Sequence, residues 1–84
     1  MEKEETLKPK KIKLTLKAIR VNMGKTLEEM AEVYKSIGIK SVTKDVIYNW
    51  ENYKTYPSVK DIPNIEKATG LTYDDIIFLP INDD

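Results

Sequence analysis

The sequence predicts an all-α domain of five short helices. Apolar residues recur at helical spacing in several short stretches, residues that favour helix N-caps precede most of these stretches, and glycine or proline follows them. A chain of 84 residues, of which 40% are hydrophobic, suits one domain with a modest core. No stretch clearly indicates a strand, and no repeats occur.

The first predicted helix runs from about Thr15 to Met23. Leu16, Ile19, Arg20 and Met23 fall at positions i, i+3, i+4 and i+7, the spacing of one side of a helix. Gly24 then stands where a left-handed residue ends a helix. Residues 1–13 mix charges around Pro9 and lack this spacing, so we interpret them as a flexible, mixed-charge N-terminal arm.

The second predicted helix runs from Thr26 to about Lys35. Thr26 and Glu29 have the spacing of a capping box, in which each side chain satisfies a backbone N–H of the other residue. Gly38 ends the helix. The connector that follows contains three apolar residues that we expect to pack against the core: Ile37, Ile39 and Val42.

The third predicted helix, from about Thr43 to Glu51, has two different sides. Val46, Ile47 and Trp50 form an apolar side that suits burial. The opposite side carries four side chains that can form hydrogen bonds: Lys44, Asp45, Tyr48 and Asn49. A loop over residues 52–58 follows.

The fourth predicted helix begins near Asp61 or Ile62, after one irregular turn, because Pro63 would lose a hydrogen bond inside a helix that began earlier. It ends at Gly70. A fifth helix is predicted from Thr72, with carboxylates in its first turn, to Leu79 before Pro80. The predicted domain therefore covers residues 14–79, and residues 80–84 form a tail.

The composition argues against several classes of protein. Cysteine and histidine are both absent, which excludes disulfides, thiolate metal sites and the commonest general base. The carboxylate pairs at 74–75 and 83–84 are adjacent residues that do not converge on a common site, and no nucleophile–base constellation or phosphate-binding glycine loop is present. We expect no enzymatic activity, no metal or other cofactor and no small-molecule ligand. The sequence also contains no membrane-spanning run or signal sequence, which makes the cytoplasm the expected location.

The charges are unevenly distributed although the formal net charge is zero. Residues 1–25 carry eight lysines and arginines against three glutamates, whereas residues 57–84 carry two lysines against six acidic residues. Such a chain can bind a polyanion through one face, or it can simply have a solvated surface without a partner.

Several residues occur in the order of a known motif. They are Arg20; Thr26 with Met30-Ala31; Val42-Thr43; Ile47, Trp50, Glu51, Asn52, Lys54, Pro57 and Ser58; and Gly70-Leu71-Thr72-Tyr73-Asp74. Over about residues 14–79 the chain resembles the phage-repressor (Cro and cI, Xre-type) helix-turn-helix family. The resemblance implies a lambda-repressor-like fold. The opening Leu14-Thr15-Leu16-Lys17 and the ending Ile77-Phe78-Leu79-Pro80 look like small prophage regulators of Gram-positive bacteria.

Three features depart from that pattern. The connector from Ser36 to Val42 exceeds the 3–4 residues that usually join the two helices of the motif. Leu27 stands where the family often has glutamine. Tyr53 stands where it has glycine, so the left-handed turn must differ or be strained.

The resemblance assigns roles to the site residues. Bases of the DNA would be contacted in the major groove by Lys44, Asp45, Tyr48 and Asn49. Phosphates would be contacted by Lys25, Thr26 and Lys54, and an arm containing Lys10, Lys11 and Lys13 either follows the DNA or is offset by its neighbouring glutamates. Arg20 and Glu51 would form a structural pair, and Trp50 would pack in the core.

These assignments predict a sequence-specific transcriptional regulator, most simply a repressor, of phage, prophage or mobile-element origin. Its partner would be a double-stranded DNA operator at the bacterial nucleoid. A weak homodimer would form through an apolar C-terminal set: Ile76, Ile77, Phe78, Leu79 and Ile81. The alternative is a protein-binding module on the same fold, such as an antirepressor or an antitoxin-like partner, that does not read DNA.

Overall fold

The structure, a computed structural model, describes residues 12–80. Over these residues it contains four α-helices and one two-stranded sheet. In chain order these are β1 (Leu14–Thr15), α1 (Leu16–Asn22), α2 (Leu27–Ile37), α3 (Lys44–Glu51), α4 (Ile62–Thr69) and β2 (Ile76–Ile77). One-turn 3-10 helices at Val59–Asp61 and Tyr73–Asp75 precede α4 and β2.

Threonine residues cap the first three helices. The hydroxyl oxygens of Thr15, Thr26 and Thr43 accept hydrogen bonds from backbone N–H groups three residues later, at 3.0, 3.1 and 3.3 Å. Each bond satisfies an N–H that has no partner within the helix. At α2 the Glu29 carboxylate also accepts from the Thr26 backbone N–H at 2.9 Å, which confirms the predicted capping box.

The fourth helix begins where the proline spacing predicted. A single 3-10 turn precedes Ile62, and Pro63 lies in the first turn of α4, where its missing N–H costs no intrahelical bond. Gly70 ends α4 with a left-handed φ of 78°. Without a Cβ, glycine adopts this conformation at little cost.

The predicted fifth helix is wrong. Thr72 does start a turn, because its backbone N–H and its hydroxyl both donate to the Asp75 carboxylate at 3.1 and 2.8 Å. The turn stops after three residues, and Ile76 and Ile77 then pair in parallel with Leu14 and Thr15. Two adjacent β-branched residues favour extended backbone, and the peptide groups of β1 supply the hydrogen bonds that a helix would otherwise provide.

The helices and β2 share one core. The buried residues are Leu16, Ile19, Met30, Ala31, Tyr34, Ile39, Val42, Ile47, Trp50, Ile65 and Ile76. Trp50 is 5% exposed, and its ring centroid lies 5.9 Å from that of Tyr34. The predicted core position of Trp50 agrees with this geometry.

The connector between α2 and α3 is held to the core rather than looped out. Ile39 and Val42 are buried. The prediction that Ile37 belongs to the connector is wrong, because α2 continues two residues beyond Lys35 and ends at Ile37, which is half-buried. Gly38 makes the turn with a φ of 135°. Burial of two connector side chains fixes the path by which the chain enters α3, so the extra length does not leave α3 free to change its position.

Candidate nucleic-acid interface

The third helix presents a polar face to solvent and an apolar face to the core. Ile47 and Trp50 are buried, whereas Lys44, Asp45 and Tyr48 are exposed. Asn49 is half-buried, and within residues 12–80 its side-chain amide has no hydrogen-bond partner. The four residues predicted for base contact therefore lie on one accessible side of an eight-residue helix.

Lys44 at the start of α3 lies close to the start of α2. Its Nζ is 3.5 Å from Oε2 of Glu28, and both side chains are exposed. An exposed pair of this kind contributes about 0–1 kcal/mol, so it does not prevent the lysine from taking another anionic partner. No local sequence pattern indicates this pair, because the contact depends on the path of the connector.

The loop after α3 folds back over the end of the helix. The Asn49 carbonyl accepts from the Lys54 N–H at 2.9 Å, and the Tyr48 carbonyl accepts from the Asn52 side-chain amide at 2.8 Å. Lys54 Nζ lies 5.9 Å from the centroid of the Tyr48 ring, within the range of a cation–π contact. This contact brings a residue predicted to bind phosphate beside one predicted to contact bases.

Tyr53 retains the left-handed turn that glycine would make. Its φ is 62°, and it is the one described residue other than glycine with a positive φ. Its carbonyl accepts from the Tyr56 hydroxyl at 3.0 Å, and its N–H donates to the Trp50 carbonyl at 3.2 Å. These bonds hold the turn in a conformation that costs a non-glycine residue about 1–2 kcal/mol.

An ion pair between α1 and α3 fixes the orientation of the polar face. Arg20 Nε donates to Glu51 Oε2 at 2.7 Å, and Nη2 donates to Oε1 at 3.1 Å. The two side chains are 13% and 4% exposed. The hydrogen bond with Glu51 raises the pKa of Arg20 above its ordinary value, although burial opposes the shift. The predicted structural pair is thus present, and it connects the first helix to the last residue of α3.

The same arginine positions the segment before α2. Arg20 Nη1 donates to the carbonyl of Lys25 at 2.9 Å. Lys25 is half-buried and Thr26 is exposed at the N-terminus of α2, whose dipole favours an anion. The Thr26 backbone N–H is already bonded to Glu29, so a phosphate at this end would meet the N–H groups of the next residues.

The structure describes only part of the two remaining sets of predicted residues, the basic arm and the dimer interface. Lys13 is exposed directly before β1, whereas Lys10 and Lys11 lie outside the described residues. In the predicted dimer set, Ile76 is 5% exposed and belongs to the core, so its assignment to an interface is wrong. Ile77 and Phe78 are half-buried and Leu79 is exposed, while Ile81 lies outside the described residues.

The comparisons with known proteins agree with this geometry. A family model described as "Helix-turn-helix" matches residues 16–76, which include all four helices and the connector. No curated protein and no solved structure matches the chain significantly. In the part of the chain that the structure describes, no helix is long and apolar enough to cross a membrane.

Proposed function

This chain belongs to the Xre-type helix-turn-helix family, and from that premise we propose that it is a sequence-specific DNA-binding transcriptional regulator. The family consists of DNA-binding regulators that generally have no enzymatic activity. We assign DNA binding to residues 14–79, with residues 1–13 as an N-terminal arm and residues 80–84 as a tail. The assignment extends the matched region by a few residues at each end, to include β1 and the residues after β2.

One observation carries the proposal. Helix α3 buries Ile47 and Trp50 and exposes a compact polar face, and the Arg20–Glu51 pair and the buried connector hold that face in a fixed orientation. A recognition helix needs this combination, because its side chains must meet base edges without rearranging the domain.

The chemistry of that face supports direct readout in the major groove. Lys44 can donate to guanine O6 or N7, and Asp45 can accept from cytosine N4. Asn49 can pair with adenine through two hydrogen bonds, and its amide is uncommitted among the described residues. Tyr48 can contact a thymine methyl group or a phosphate.

The residues around α3 supply phosphate contacts in this proposal. Lys25 and Thr26 lie at the N-terminus of α2, and Lys54 lies in the loop after α3. Lys10, Lys11 and Lys13 belong to the basic arm. Phosphate contacts set the register of a protein on the duplex, whereas contacts to bases determine which sequence it prefers.

We infer the regulatory role from the effect of a protein bound at an operator. A protein that fills an operator blocks access of the polymerase, so we assign a repressor that acts at the bacterial nucleoid. The resemblance to phage repressors points to a phage, prophage or related mobile element as its source.

A single eight-residue helix reads few base pairs, and we propose that two copies bind a two-fold site about one helical turn apart. The contact would use the exposed apolar surface after α4, where Tyr73 stacks on Phe78 at 5.4 Å beside Leu79. Sedimentation with and without operator tests this. Two protomers per site at saturation are expected, and one protomer per full site would contradict the dimer.

A gel-shift series against upstream DNA of its own operon, at two salt concentrations, tests the function. We expect a shift that weakens as salt rises, because phosphate contacts release counterions. If no duplex shifts even at low salt, the chain is better described as a protein-binding module on this fold.

A further inference from the structure

A polar pocket of about 310 Å³ lies where the α2–α3 connector meets the start of α4. Its lining includes Lys40 and Ser41 from the connector, Lys60 and Asp61 from the 3-10 turn, and Asn64 from α4. None of the DNA contacts proposed above involves Lys40, Ser41, Lys60 or Asn64. The connector, which is longer than the usual turn of the motif, forms one side of this pocket, and the 3-10 turn and α4 form the other.

The charge of this pocket is unbalanced. Within residues 12–80, neither Lys40 nor Lys60 has a carboxylate within salt-bridge distance. The Asp61 carboxylate already accepts a hydrogen bond from the Ser58 hydroxyl at 3.1 Å. Two lysines and one aspartate leave a net charge of +1, which suits a ligand with one negative charge.

The lining also supplies hydrogen-bond donors. Ser41 is exposed and Asn64 is half-buried, and neither side chain has a hydrogen-bond partner among the described residues. Gly38 lines the pocket opposite Asn64, and its φ of 135°, a backbone conformation that favours glycine, turns the chain into the connector. A hydroxyl and an amide that line the same pocket as two lysines can contribute, with the ammonium groups, to binding a tetrahedral oxyanion.

The position of the pocket identifies the oxyanion. Ser41 lies two residues before Thr43, the N-cap of α3. The N-terminal end of a recognition helix enters the major groove, so the residues directly before it lie at the edge of the groove, where the phosphates are.

We propose that this pocket binds one backbone phosphate of the DNA, with Lys40 and Lys60 as cationic ligands and Ser41 and Asn64 as hydrogen-bond donors. The inference rests on the proposed function and adds to it a contact made by the extended connector. The connector then contributes directly to DNA binding, and its length is a functional feature of this chain.

The test uses a duplex selected from random sequence by the full-length parent protein. Binding of Lys40→Ala/Lys60→Ala is measured over a series of salt concentrations, together with Lys17→Ala as a control. Lys17 is exposed in the first turn of α1 beside the sheet and lies outside the pocket. The salt slope is the slope of the logarithm of the binding constant against the logarithm of the salt concentration. Because both lysines share one phosphate, this slope should fall by about one, not two, in the double variant. It should stay unchanged in the control.

Two further measurements identify the phosphate itself. Single phosphates of the duplex are replaced in turn by neutral methylphosphonates. Replacement at one position should weaken binding of the parent but not binding of the double variant. Asp61→Asn removes the negative charge from the pocket and tightens binding. The inference fails if the double variant binds like Lys17→Ala, if its slope falls by two, or if no methylphosphonate position distinguishes it from the parent.

The outcomes separate this inference from the proposed function. If the parent binds its selected duplex but Lys40→Ala/Lys60→Ala binds with the same affinity and salt slope as Lys17→Ala, the pocket assignment is wrong while DNA binding stands. If selection enriches no sequence and the parent shifts no duplex at low salt, both are wrong.

Discussion

Arg20 and Glu51, separated by 31 residues in the chain, form a two-point ion pair that joins α1 to the end of α3. Since Arg20 also donates to the Lys25 carbonyl, one guanidinium positions both α3 and the segment that leads into α2. Arg20 therefore contributes to the orientation of the proposed DNA-binding face, together with the buried connector and the buried side of α3.

Arg20→Met tests this dependence. Removing the arginine leaves the Glu51 carboxylate, 4% exposed, without its charged partner, and we expect the free energy of unfolding to fall by about 3–5 kcal/mol. Urea denaturation measures the change. Arg20→Met/Glu51→Leu should recover much of the loss because it leaves no buried charge.

Lys35→Ala provides the control for that experiment. Lys35 Nζ lies 3.8 Å from Glu32 Oε2 on the surface, so Lys35→Ala should lower the free energy of unfolding by less than about 1 kcal/mol. If Arg20→Met were as mild as Lys35→Ala, the ion pair would not hold the helices together.

Tyr34 makes stability sensitive to alkaline pH. Burial raises the pKa of the Tyr34 hydroxyl above its ordinary value of 10.0, and the nearby Glu51 carboxylate raises it further. The folded state therefore retains this proton where the unfolded state loses it, and the contribution to stability present below pH 10.0 declines as pH rises above that value. Relative to Tyr34→Phe, the parent should lose up to about 1.4 kcal/mol per pH unit.

Urea denaturation of both proteins from neutral to strongly alkaline pH measures that difference. The comparison removes the effect of lysines and of other tyrosines, which both proteins share. Parallel stability curves for the parent and Tyr34→Phe would show that Tyr34 ionises equally easily in the folded and unfolded states.

Lys54→Ala tests the predicted phosphate contact in the loop after α3. Binding should weaken to a similar extent for all duplex sequences, and the salt slope should fall by about one, because one counterion-releasing contact is lost. Fluorescence anisotropy at several salt concentrations, with selected and scrambled duplexes, provides the measurement. A loss confined to the selected duplex would instead place Lys54 at a base.

Much of the fold follows from local patterns, and the exceptions depend on contacts between distant residues. The threonine caps, the proline at the start of α4 and the glycine at its end act within a few residues, so the sequence alone predicts the helix boundaries closely. Strand β2 depends on pairing with Leu14, 62 positions earlier, which no local pattern reveals. Apolar runs this short also fit a helix and a strand equally well.

The same distinction applies to the candidate site. The alternating faces of α3 can be read from the spacing of Ile47 and Trp50, and the family motif suggests the partner of Arg20. The Lys44–Glu28 contact and the pocket beside α4 depend on the path of the connector, which only the folded chain defines.

Whether the outer face of α3 reads DNA sequence is tested most directly by selection from a random duplex library with the parent and with Asn49→Ala. We expect the parent to enrich one motif. The variant should lose preference at a single base pair, at a cost of about 1–3 kcal/mol, while the remaining positions keep theirs. Enrichment of the same motif with unchanged preference at every position would show that the α3 face does not read bases as assigned, and enrichment of no motif by the parent would contradict sequence-specific binding itself.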